Sequence, residues 1–199
     1  KSPALNATNL VQWVLYYPGV LAVDELAWAD PDKNALSDSL AAYRSGDLVR
    51  ALNLYPMNRQ PATDPEKIYR AALMLVVGEV DQAKTVLDSV TQANEFSAAL
   101  PKLIAAVRND VWPDTAEPQT ATGWMAESYY RQSRLDLEGA LAAARAATAV
   151  APGFGFAWAR VAELEFSFGH IDEALAALEK ALALSPRHAS ALALKGFLL

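Results

Sequence analysis

The sequence predicts an all-α chain built from antiparallel helix pairs, and three observations carry that prediction. Apolar residues recur at three- and four-residue spacing nearly throughout, with no alternating runs bounded by turn residues. Residues 121–154 and 155–188 share one pattern at a 34-residue period, the mark of a helical repeat. With 53% hydrophobic and 20% charged residues, the 199-residue chain has the composition of a globular domain with a continuous core.

Taken in order, residues 1–31 read as an amino-terminal helical cap, because the aromatic run Val11-Gln12-Trp13-Val14-Leu15-Tyr16-Tyr17-Pro18 fits no repeat. Residues 32–107 read as divergent helix pairs. There Gly46-Asp47-Leu48-Val49-Arg50-Ala51 is echoed 32 residues later by Gly78-Glu79-Val80-Asp81-Gln82-Ala83, each the turn and second-helix start of a pair. Around the second echo, Ile68 to Val77 and Gln82 to Val90 form the two helices of a unit at 64–97. The register then breaks, since Ala83 to Ala140 spans 57 residues. A helix over Glu95 to Val107, with Pro101 in its first turn or bending it, precedes a long loop at 108–120 in which Trp112 serves as an anchor.

The units at 121–154 and 155–188 are the clearest. In the second, one helix is expected from Phe156 to Phe168 and the next from Ile171 to Leu184, joined by Gly169-His170. Asp172 and Glu173 sit in a first turn, where the helix dipole favours negative charge, and Ser185-Pro186 ends the helix. Residues 189–199 read as a truncated half-repeat, with Leu192 and Gly196 in register and a single charge between Ala191 and Leu199. Such a helix exposes an apolar face, so a homo-oligomer through it is a further expectation.

Trp158, Val161, Ala162, Gly169, Ala174, Leu178, Ala181 and Pro186, with Trp124, Ser128, Ala140, Ala144, Ala147 and Pro152 in the preceding unit, resemble the signature of the tetratricopeptide-repeat (TPR) family. The resemblance implies one continuous right-handed α-solenoid whose concave wall is lined by the first helix of each pair. By the same resemblance, Thr122, Met125, Ala126, Tyr129, Gln132 and Ser133, then Phe156, Ala159, Arg160, Glu163, Phe166 and Ser167, face that wall. Met125, Tyr129, Gln132, Phe156, Arg160, Glu163 and Phe166 are the candidate protein-binding residues. A clamp for a carboxyl terminus is not implied, because Met125, Ala159, Tyr129 and Glu163 stand where the family's clamp places Lys and Asn. Glu127, Arg131 and Glu165 replace residues that are usually apolar, and Arg131 is expected to pair with both acids. The first twenty residues are also similar to the segment after a FecR-like domain in bacterial envelope proteins, which implies a fragment of a larger protein located in the periplasm or cell envelope.

Chemistry is sparse. Cysteine is absent, which excludes disulfides and thiolate sites, and no HExxH, GxSxG or Walker pattern occurs. The two histidines, His170 and His188, fall at expected turns and read as solvated, so no catalytic residue, cofactor or metal is expected. Gly153-Phe154-Gly155 joins two helices and opens no phosphate loop. A net charge of -6 with scattered basic residues argues against nucleic acid. No apolar stretch is long enough to span a bilayer, so no membrane insertion is expected. The expected function is therefore a non-catalytic scaffold holding a protein or peptide partner in a concave groove. The alternative is a structural spacer or self-association module with no groove ligand.

Overall fold

The computed structural model describes residues 19–113 and 116–199. The aromatic run Val11–Pro18, and with it most of the expected amino-terminal cap, lies outside the described residues. Among the described residues there is no strand, and adjacent helices pack against one another. After a 3-10 turn at Val23–Glu25 come α1 (Asp30–Ala35), α2 (Ser37–Arg44), α3 (Leu48–Leu54), α4 (Asp64–Val76), α5 (Val80–Asp88) and α6 (Glu95–Arg108). They are followed by α7 (Ala121–Ser133), α8 (Leu137–Val150), α9 (Gly155–Ser167), α10 (Ile171–Leu184) and α11 (Ala189–Leu198).

Four helical hairpins, α2/α3, α4/α5, α7/α8 and α9/α10, use the same turn. Gly46, Gly78, Leu135 and Gly169 open it with φ of 88°, 74°, 64° and 80°. This left-handed backbone reverses the chain within three residues, and glycine accepts it without a steric cost. Asp47 and Asp136 then cap the second helices by accepting from the amides of Arg50 and Gly139. Inside each hairpin a small residue of the first helix lies twelve positions before a buried alanine of the second: Ser39 with Ala51, Ala71 with Ala83, Ser128 with Ala140, and Ala162 with Ala174. The hydroxyls of Ser39 and Ser128 each donate to the alanine carbonyl, at 2.7 and 2.8 Å. Small side chains on both sides let the helices approach closely, which is why bulk is placed beside these positions and not at them.

The helix α6 has no such partner. Glu95 at its start accepts from the amides of Gln119 and Thr120, Lys102 at its middle pairs with Glu127, and Arg134 donates to the carbonyl of Asp110 at its end. The matched ends show that α6 and α7 run in the same direction. The loop from Asn109 to Thr120 therefore returns the chain along a helix length of about 21 Å, and this explains the break in the repeat period. Its amide at Trp112 donates to the Tyr130 hydroxyl at 3.0 Å. Pro101 lies in the interior of α6, whose buried Leu100, Leu103 and Ile104 hold the helix across it.

Residues 19–29 form no helix beyond the 3-10 turn, and Val20, Leu21, Ala22, Val23 and Leu26 are buried. They belong to one core with α2 to α7 and the start of α9; a second core joins α8, α9, α10 and α11. The first hairpin also meets the last. Ser185 Oγ donates to the carbonyl of Arg44 at 2.7 Å, the Arg187 amide donates to the carbonyl of Ser45 at 2.7 Å, and Arg187 pairs with Asp47 at 3.3 Å. The chain thus closes on itself across some 140 residues.

Candidate functional site

The candidate wall is made by α7 and α9. Thr120 caps α7 by accepting from the amide of Gly123 at 3.0 Å. The start of this wall is filled by the chain itself. The amide of Ala22 donates to Thr122 Oγ1 at 2.9 Å, and the Glu25 carboxylate accepts from the amides of Ala121 and Thr122 and from the Thr122 hydroxyl. A carboxylate at the first turn of α7 satisfies amides that the helix leaves open and complements its dipole. Met125 and Phe156 are buried in the core that contains Val20 to Leu26. Phe156 lies 5.5 Å from the ring of Tyr43 and 4.7 Å from that of His188.

Further along, Tyr129, Gln132, Arg160 and Glu163 form one polar cluster. The buried Arg160 guanidinium stacks over the Tyr129 ring at 3.8 Å, donates to Ser128 Oγ at 3.0 Å and to Gln132 Oε1, and pairs with Glu163 at 3.3 Å. Such a cation over an aromatic face gains when it is desolvated. Burial pushes the Glu163 carboxyl above its ordinary range against the pull of Arg160, although 34% of that side chain remains exposed. Burial likewise pushes the Tyr129 phenol up. Gln132 is exposed, Tyr129 is half-buried, and Phe166 stands apart from the cluster, edge-on to Phe197 of α11 at 5.6 Å. Of the seven candidate residues, Tyr129, Gln132, Glu163 and Phe166 therefore present surface, while Met125, Phe156 and Arg160 support it from below.

The charged trio is arranged differently from its expected pairing. Glu127 pairs with Arg131 at 2.6 Å and with Lys102 of α6, whereas Glu165 pairs with Arg145 of α8 at 2.5 Å and His170 at 2.9 Å. Arg131 turns instead to Asp136 at 3.5 Å. The second helix of the preceding pair supplies the cation for Glu165, so stacking between first helices is not needed. Against the upward push of burial, Lys102 and Arg131 hold Glu127 below its usual range, and His170 and Arg145 do the same for Glu165.

His188 is not solvated. It is buried against Phe156, accepts the amide of Ala191 at the start of α11, and burial lowers its pKa to about 4. Sequence reasoning also missed a second buried network. Glu66 accepts from the Tyr55 hydroxyl, from Arg59 and from the amide of Ala62, while Arg59 and Thr63 also hold Asp32. Against the upward push of burial, these donors keep Glu66 below its ordinary range. Asp32 lies on α1, Arg59 in the loop after α3 and Glu66 on α4, so no pattern within one helix signals the network.

Two clefts flank the wall. One of about 280 Å³ lies between Leu21, Tyr43, Phe154, Phe156 and Leu184, and one of about 400 Å³ lies between α6 and the loop at Trp112. Among the described residues no group of three or more His, Cys, Asp or Glu side chains could hold a metal ion, and no helix is long and apolar enough to cross a membrane. No family model, curated protein or solved structure matches the chain.

Proposed function

We propose that the protein is a non-catalytic interaction scaffold, a TPR-like array of a larger bacterial envelope protein, which holds a protein or peptide partner on the free part of the α7–α9 wall. One observation carries this reading: the wall already holds a segment outside the α-helices, Gly19 to Leu26, through an amide–hydroxyl hydrogen bond and a carboxylate on a helix start. Beyond it lie Tyr129, Gln132, Glu163 and Phe166, where two separate aromatic rings and polar groups held by Arg160 suit an incoming peptide. The four repeated hairpins support the right-handed solenoid reading.

A photo-crosslinking residue at Gln132 tests this directly, with one at the exposed Glu138 of α8 as control. In an envelope extract, a discrete adduct from position 132 alone supports the scaffold. Equal adducts from both positions, or none from either, favour the structural spacer, a reading that draws on the closure of the first hairpin onto the last.

A further inference from the structure

At the 34-residue period Tyr129, Glu163 and Phe197 hold the same place in successive first helices, and Gln132 and Phe166 hold another, three residues further on. One carboxylate therefore stands in a row between two aromatic residues, with Phe166 one turn along on the same side of its own helix. The cation beside this carboxylate is committed elsewhere. Arg160 donates through Nε to Ser128 Oγ at 3.0 Å, and through Nη2 to the Ser128 carbonyl at 3.4 Å and to Gln132 Oε1. Its guanidinium also lies over the Tyr129 ring. Glu163 receives one long bond, from Nη1 to Oε2 at 3.3 Å, and its Oε1 has no hydrogen-bond partner among the described residues. A carboxylate has about four acceptor sites, so most of this one's capacity is unused. Burial meanwhile raises its carboxyl above the ordinary range, and a second cation at this place would reverse that push. Gln132 turns its oxygen to Arg160, which leaves its amide nitrogen free to donate.

Resting on the scaffold reading above, we propose that the partner segment presents a lysine or arginine to Glu163, its aliphatic stem lying along Tyr129 and Phe166, while Gln132 Nε2 donates to a carbonyl of the same segment. The stem covers aromatic surface and the cation meets the carboxylate, so one residue satisfies both features of the wall. Glu163 is only 34% exposed, so the pair is screened less than one on an open surface. An acidic residue at the same place is refused, because it would meet Glu163 with Arg160 buried behind it.

The test is selection of a phage-displayed random dodecapeptide library on the 199-residue chain. Enriched peptides are cross-linked to the chain carrying the photo-reactive residue at position 132, and titrated by fluorescence anisotropy against wild type, Glu163→Gln and Glu163→Lys. The expected result is that peptides cross-linking at position 132 share a lysine or arginine beside an apolar residue. Replacing that cation with norleucine, or Glu163 with Gln, should weaken binding roughly tenfold or more. Glu163→Lys should bind the peptide whose cation is exchanged for glutamate. Glu163→Gln keeps an acceptor for Arg160, so its circular dichroism and melting should be unchanged, and Glu138→Gln on α8, the same charge change at an exposed position off the wall, should bind as wild type does. Peptides that cross-link at position 132 without a shared cation, or that bind Glu163→Gln as tightly as wild type, overturn the proposal and leave the scaffold reading standing. Enrichment of no peptide that cross-links there overturns both.

Discussion

Ser128 Oγ donates to the carbonyl oxygen of Ala140 at 2.8 Å and itself accepts from Nε of Arg160 at 3.0 Å. One small buried side chain therefore joins the two helices of one hairpin and fixes the guanidinium of the next. Ser128→Ala nearly keeps the volume but leaves both partners short of a hydrogen bond. It is expected to cost about 1–3 kcal/mol, read by urea denaturation. An unchanged midpoint would show that Arg160 finds another acceptor.

Leu135 has φ of 64° where the other three hairpins place glycine, and its side chain is 90% exposed. Leu135→Gly removes a left-handed strain and loses almost no packing. A stabilisation of about 1 kcal/mol is expected in thermal denaturation, reduced by the greater freedom of glycine in the unfolded chain. Gly46→Ala should do the opposite, since its Cβ would lie 2.6 Å from the backbone nitrogen of His188 in addition to the unfavourable φ.

His188 introduces a pH dependence. Its folded pKa of about 4 lies below the ordinary histidine value of 6.5, so the unfolded chain takes up the proton first as pH falls. Stability from this group is complete above pH 6.5 and declines as pH falls towards about 4, by roughly 3 kcal/mol in total. His188→Asn replaces the capping Nδ1 with an amide oxygen that can also accept from Ala191 but does not titrate, and its stability should be flat where the wild type declines. Parallel curves for the two proteins in urea titrations across this window would rule out His188 as the source.

Arg59→Ala leaves Glu66 without its cation in a fully buried position. Such a loss is expected to cost about 3–5 kcal/mol. The double variant Arg59→Ala, Glu66→Gln should recover part of it, since the uncompensated charge is then gone. Calorimetric melting of both variants provides the measurement.

The hairpins were legible because their determinants are local. A turn glycine and a buried alanine five positions on recur at Gly46 and Ala51, Gly78 and Ala83, and Gly169 and Ala174, and α10 occupies the very span, Ile171–Leu184, that the sequence suggests. The first helix of that unit runs one residue earlier than expected, and α4 begins at Asp64, before the apolar run, because Asp64 and Pro65 favour a helix start. What escaped was long-range. Nothing near Ser185 announces Arg44, and nothing near Glu25 announces Thr122, because a hydroxyl or carboxylate meeting a distant backbone group leaves no periodic trace. The candidate site was legible as a set of positions on α7 and α9, but its division into covered and free parts depends on residues 19–26.

Closure of the chain decides that division, since the first and last hairpins meet where Phe156, His188 and Leu21 gather. Double electron-electron resonance between spin labels at Asp47→Cys and Arg187→Cys measures closure in a chain with no cysteine of its own. A single short, narrow distance is predicted, maintained by the Ser185–Arg44 and Arg187–Ser45 backbone contacts. A long or broad distribution would mean that the hairpins stand apart and that the whole α7–α9 wall is open, contradicting the assignment of its free part to Tyr129, Gln132, Glu163 and Phe166.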